Sequence, residues 1–388
     1  MTTLCLLALA FCPAFQTPAE LRAQGPEALP PLLARYDALP DGPAKEDVER
    51  IIDTVAAQRH ATFSRLYWYR DLDLAQRAAQ ASGKPILSLR MLGRLDEDLS
   101  CANSRLFRVV LYADEEVSKL LRERFVLHWS SERAAPRITI DFGDGSRLDT
   151  TLAGNSVHYV LDSNLRPIDA LPGVYGPGAF RRELEAALPL ARQSPSLSDA
   201  ARSQKLREFH RERLAASSAL WLGQAKPVVV GVSASPAIRA AEVIAVSKRA
   251  MEIPIVDAVA SGLPESLRPE VPVYVRRLED SRLGARSRAL IIRLAPTDWA
   301  RDPRPLAGAA LEQLVTNLEA LVAVDTERNE LQRHAAIHAW LGSGQPPGFA
   351  ALNERIYREL FLTPADDPWL GMSGLGVFNG LPHDGLAP

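Results

Sequence analysis

A chain of 388 residues has room for two or three domains and an ample core, and its 47% apolar fraction is ordinary for a soluble protein. Its net charge of −2 at pH 7, with no basic stripe, argues against a dedicated nucleic-acid binder. Twenty-nine prolines imply frequent breaks between elements, and no period of roughly 20–50 residues repeats, which excludes a solenoid.

The N-terminus reads as an export signal over residues 1–19. Leu4–Phe11 is an apolar h-region too short to span a bilayer, and Ala14 and Ala19 offer small residues for cleavage, although no Lys or Arg precedes the run. The expected location is secreted or periplasmic, with no integral membrane segment after cleavage. Cleavage removes Cys5 and Cys12 and leaves Cys101 as the only thiol, so no disulfide can form within the mature chain. Residues 20–64 follow as a Pro-rich segment and an N-terminal helix. The Pro, Ala and Gly of 20–47 suggest a wrapping or linking stretch. Lys45 to Phe63 carries helical spacing through Val48, Ile51, Ile52 and Val55.

Residues 65–193 alternate helix and strand patterns. A helix is expected over Asp73–Gly83, then a strand in the run Pro85–Leu92. The sequence Ser100-Cys101-Ala-Asn-Ser104-Arg105 gives a C-x-x-S motif opening a further helix. A cysteine at a helix N-terminus has its thiolate favoured by the dipole and free amides, and Arg105 and Arg108 add positive charge one turn on. Cys101, Ser104, Arg105 and Arg108 are therefore the candidate catalytic residues, with Ser104 as a hydrogen-bond partner of the thiolate. Beyond them come Lys119–Val126 leading into a strand, a hairpin signal at Asp144-Gly145, strands at Val157–Asp162 and Pro167–Gly173, and a helix over Pro177–Arg192.

This segment resembles the bacterial thioredoxin-like domains, whose pattern is a Lys-Pro-Ile strand, then W-C-x-x-C-H, then Phe and Asp before a Phe-Val strand. Lys84-Pro85-Ile86 supplies the first part. Counted from Ser104, Asp114, Val117, Leu120 and Phe125-Val126 fall at the family spacing, with Tyr112 where the family has Phe. The resemblance implies a thioredoxin fold over about a third of the chain, and a cysteine that attacks disulfides. The chain departs from the pattern in several ways. Ser104 replaces the second cysteine, and Arg105 the histidine. Arg90–Ser100 carries extra residues, Ser156 stands where the family has its cis-proline, and Trp129–Thr151 is an insertion in place of a helix. A lone thiol can form a mixed disulfide or a sulfenic acid but cannot resolve either.

Residues 194–388 form a mainly helical region with an irregular tail. Short strands are expected at Pro227–Val232, Val271–Arg276 and Ala289–Leu294, and helices at Leu306–Val324 and Ala335–Trp340. Phe361, Trp369 and Leu370 suggest a docking strap. His334 and His338 lie one helical turn apart, a candidate metal pair, with Glu327 and Glu330 upstream but no H-E-x-x-H glutamate. Gly154–His158 lacks the last glycine of a hydrolase elbow, and Asp141-Phe142-Gly143 reads as strand plus turn rather than a kinase metal motif. His158 either faces Cys101 or is a core histidine.

The expected fold class is α/β, a thioredoxin-like central domain with a mainly helical C-terminal domain. The expected function is a non-catalytic binding or scaffold module without a cofactor. Its partner is another protein docking on the thioredoxin-like face or the helical region. The alternative is a monothiol redox or thiol-capturing protein with Cys101 as nucleophile.

Overall fold

The computed structural model describes residues 17–145, 147–151, 154–222, 228–230, 273–275, 277–294, 297–298, 302–305 and 307–367. The h-region, Ala14, Trp369 and Leu370 lie outside the described residues. Within them the protein is mixed α/β, with one small mixed sheet and many helices.

The described chain opens with α1 (Pro18–Ala23), α2 (Leu29–Ala38) and α3 (Pro43–Ala56). The expected wrapping segment 20–47 is therefore largely helical. Each of these helices has a proline in its first turn, where the missing amide costs no hydrogen bond, so prolines that resemble breaks are helix starts. Leu29, Leu33, Val48, Ile52, Ala56 and Ala61 form a small core of their own. After the single turn α4 (Ala61–Ser64), α5 (Leu72–Ser82) begins at Asp71, whose carboxylate accepts the Leu74 amide at 2.8 Å.

The sheet has strand order β2-β1-β5-β6. Its strands are β1 (Ile86–Leu92), β2 (Val126–Arg133), β5 (Ser156–Leu161) and β6 (Pro167–Pro172). β1 and β2 run parallel, with Ile86 opposite Val126. β5 pairs antiparallel with both β1 and β6. A parallel bridge between Tyr69 and His128 adds one more contact at the β2 edge. The β1–β2 crossover contains α6 (Ala102–Leu106), a wider π turn to Leu111, and α7 (Glu115–Arg124), capped by Asp114. The expected hairpin around Asp144-Gly145 is present as β3 (Arg137–Asp141) and β4 (Arg147–Thr151). β5 and β6 are buried along their whole length, which explains their nearly unbroken apolar sequence.

α8 (Pro177–Gln193) and α9 (Asp199–Leu222) follow, then short strands β7 (Val228–Val230) and β8 (Val273–Val275) inside the two expected segments. Ala289–Leu294, expected as a strand, belongs instead to α10 (Ala285–Leu294). An apolar run of that length fits either state until packing decides. The strand pair β9 (Thr297–Asp298) and β10 (Asp302–Pro305) precedes α11 (Gly308–Arg328), α12 (Ala335–Ser343) and α13 (Phe349–Arg355). One buried apolar cluster runs without interruption from Leu66 and Trp68, through the sheet, to Leu206, Leu341 and Phe361. The helices after residue 193 thus share their core with the sheet. No helix among the described residues is long and apolar enough to cross a membrane.

Candidate functional site

Cys101 occupies the N-cap of α6, as its sequence position suggests. The extra residues 93–100 leave β1 and return to its end, because the Cys101 amide donates to the Leu92 carbonyl at 3.4 Å. Its surroundings work against an activated thiol. Cys101 is fully buried, and burial pushes its thiol up to about 11. The Ser104 amide, donating to Sγ at 3.4 Å, and the charges of Arg105 and Arg108 act in the other direction but do not offset that cost. Ser104 thus meets the sulfur through its backbone. Its hydroxyl accepts from Ser100 Oγ at 3.0 Å.

Arg108 is buried too. It donates to the Glu97 carbonyl at 2.8 Å, the Asp98 carbonyl at 3.4 Å and Ser100 Oγ at 3.2 Å, which holds segment 93–100 over the cysteine. Thr151 Oγ1 adds a second strap by donating to the Ser100 carbonyl at 2.8 Å. Arg105 is largely buried, and desolvation lowers its pKa. The four expected catalytic residues are adjacent in space, but they form a sealed cap rather than an open nucleophile.

His158 is a core histidine. Its Nε2 lies 2.6 Å from the Tyr112 hydroxyl, and its ring packs 4.6 Å from Phe107 and 4.9 Å from Phe180. Burial holds it neutral, with a pKa lowered to about 3.

The structure expands the His334/His338 pair into a buried cluster that joins β6, α8, α9 and α12. His334 and His338 stack with ring centroids 3.9 Å apart. His334 Nε2 lies 2.9 Å from Asp169 Oδ1, and His338 Nδ1 lies 2.9 Å from His210 Nδ1. Burial alone would raise the Asp169 carboxyl, but the facing His334, His338 and His210 hold it well below the usual range. Burial likewise opposes the His334 imidazolium, yet the charge and hydrogen bond of Asp169 raise its pKa. His338 and His210 are lowered by burial first, to about 2 and about 4. Glu183 reaches the cluster from α8 but is tied to Arg213 and Arg182. Glu330, expected beside His334, pairs with Arg182 and Arg277 instead.

The sequence signals for this cluster are uneven. His334 and His338 show by their spacing. Asp169 shows as a carboxylate inside the apolar strand Pro167–Pro172, a charge that needs a buried partner. His210 is one histidine on a long helix and carries no local signal. Two sets of three in this cluster have metal-ligand proximity: Asp169, His210 and His338, and Glu183, His334 and His338, with ligand atoms within 4.8 Å of one another in each. No family model, no curated protein and no solved structure matches this chain in comparison.

Proposed function

We propose that this protein is an exported, thioredoxin-like binding or scaffold module that does not use its cysteine in catalysis. The burial of Cys101, with its thiol pushed up to about 11, carries this reading. A nucleophile needs both access and thiolate character, and Cys101 has neither at neutral pH. Two features support the thioredoxin-like lineage. The strand order β2-β1-β5-β6 has one parallel and two antiparallel pairings, and the C-x-x-S cysteine caps the helix that follows β1. The partner in this reading is another protein. The β3–β4 hairpin offers a contact surface, with Ile140 and Phe142 exposed to solvent.

Alkylation of the native, untagged protein with a thiol reagent tests the reading. Cys101 is expected to stay unmodified through pH 9 and to react fully once the chain is unfolded in urea. Native alkylation with a midpoint near or below about 8.5, the value of a free cysteine, would replace the scaffold with the monothiol reading.

Export is part of the same proposal, and the structure bears on where cleavage falls. Thr17 caps α1: its hydroxyl accepts the Glu20 amide at 3.2 Å while Glu20 Oε2 accepts the Thr17 amide at 2.7 Å. Arg22 then docks α1 by donating to the Val55 and Trp68 carbonyls at 2.6 and 2.8 Å. Cleavage after Ala19 discards the cap, whereas cleavage after Ala14 keeps it. N-terminal sequencing of protein from the native host is expected to begin at Phe15. A chain beginning at Glu20 would overturn the argument from the cap, and an intact Met1 would overturn export.

A further inference from the structure

We infer that Asp169, His210 and His338 bind one divalent first-row transition ion of the zinc type, which ties β6, α9 and α12 together. The three residues are far apart in sequence, all buried, and each offers a ligand atom within 4.8 Å of the other two.

The hydrogen bonds around them orient lone pairs toward a common point. His210 Nε2 lies 2.9 Å from the Ile168 carbonyl, an acceptor only, so that nitrogen carries the proton. The lone pair of His210 is then on Nδ1, which faces His338 Nδ1 at 2.9 Å. A carbonyl holding the far nitrogen of an imidazole is the usual second layer of a metal-ligating histidine. Without an ion, His338 Nδ1–H donates to the His210 lone pair; ion binding requires the His338 tautomer protonated on Nε2, which frees its Nδ1 as a ligand. Asp169 Oδ1 accepts the Ala170 amide at 2.8 Å, meets His334 Nε2 at 2.9 Å, and lies 3.9 Å from His338 Nδ1. Asp169 Oδ2 is buried with no hydrogen-bond partner. A carboxylate oxygen in that condition is costly, and a bound cation meets the cost.

The alternative trio of Glu183, His334 and His338 lacks this driving force, because Arg213 and Arg182 already neutralise Glu183. A four-coordinate ion with nitrogen and oxygen ligands at about 2.0–2.2 Å sets those ligands roughly 3.3–3.6 Å apart. His210 Nδ1 and His338 Nδ1 are 2.9 Å apart, His338 Nδ1 and Asp169 Oδ1 are 3.9 Å apart, and all three ligands lie within 4.8 Å of one another, so side-chain shifts of about 1 Å or less close the site. Two imidazoles and one carboxylate suit zinc and its neighbours rather than calcium or magnesium. The enclosure of the cluster makes the role structural, and His334 positions the carboxylate.

The test uses the untagged full chain, stripped with a chelator and titrated with cobalt(II) and zinc. One equivalent of cobalt is expected to bind with the visible bands of a four-coordinate ion, and zinc to displace it. X-ray absorption of the zinc form is expected to show nitrogen and oxygen ligands without sulfur. Asp169→Asn and His338→Gln, with folding checked by circular dichroism, should each weaken binding on the order of 100-fold or more, and Cys101→Ser should leave it within about threefold. If these variants do not fold, the wild-type stoichiometry and absorption spectrum decide. The inference is overturned if wild type takes up no stoichiometric ion or if sulfur appears in the ligand shell. Loss of binding in Glu183→Gln with retention in Asp169→Asn would overturn it too.

Discussion

Replacing His158 and Tyr112 together by phenylalanine is expected to flatten the acid limb of the stability curve while leaving stability at pH 7 within about 1 kcal/mol. His158 sits opposite Leu89 in the middle of the sheet, fully buried, with only the Tyr112 hydroxyl as a polar partner. Burial lowers its folded pKa to about 3, against about 6.5 in the unfolded chain. The sign follows from linkage. Below about pH 6.5 the unfolded chain takes up a proton that the folded chain refuses, so stability present above that pH is lost as the pH falls. At about 1.4 kcal/mol per pH unit, this one group removes on the order of 3 kcal/mol by pH 4. His60 and His128, each lowered to about 4 by burial, act in the same direction, and Asp53, raised to about 6 by burial, acts against them. Those groups are common to both proteins, so the difference between the two curves isolates His158. Removing both partners of a buried hydrogen bond is nearly neutral, whereas His158→Phe alone strands the Tyr112 hydroxyl and costs about 1–3 kcal/mol. Urea unfolding between pH 7 and pH 4 measures all of this. Parallel acid limbs in wild type and the double variant would mean that His158 takes its proton as readily in the fold as outside it.

The elements that position Cys101 and His158 were legible because local and long-range signals agree there. The helix expected over Asp73–Gly83 is present as Leu72–Ser82. Apolar runs become β1, β5 and β6 because those strands are buried on both faces. Legibility fails where one local pattern serves two structures. Pro18 and Pro43 look like breaks and are helix starts, and Ala289–Leu294 is apolar enough for a strand but lies in a helix. The chemistry is a harder case. The helix N-cap at Cys101 favours a reactive thiol by its local electrostatics, and the sequence shows that much. Whether water reaches the sulfur depends on residues 93–100 folding back, on Thr151 from the hairpin, and on Arg108 turning inward. None of those leaves a mark in the C-x-x-S motif. The histidine cluster divides in the same way. One helical turn links His334 and His338, but Asp169 and His210 join them only through tertiary packing.

Arg108 is therefore the residue whose removal should convert a sealed cysteine into an accessible one. Its guanidinium makes three hydrogen bonds to residues 97, 98 and 100, and desolvation already lowers its pKa to about 10. Arg108→Ala leaves two carbonyls and a hydroxyl without that donor and opens space beneath the loop, at a cost of roughly 2–4 kcal/mol. Part of that cost falls on local opening next to Cys101, where Thr151 Oγ1 still holds the Ser100 carbonyl while Arg59 holds Asp98 and the Leu95 carbonyl further along the segment. Since 1.4 kcal/mol is a factor of ten, native-state alkylation of Cys101 should accelerate on the order of ten- to a hundredfold. Burial is the largest cause of the raised thiol pKa, so the alkylation midpoint should also fall from about 11 toward the free-cysteine value of about 8.5. A control separates local opening from general destabilisation. Leu341→Ala removes a fully buried side chain from the shared core, distant in sequence from the loop, and should cost about 2–5 kcal/mol. In folded protein it should leave Cys101 protected. If Arg108→Ala reacts no faster than Leu341→Ala under native conditions, the loop is not what seals the thiol, and the closed cap must be sought in the packing beneath β1 instead.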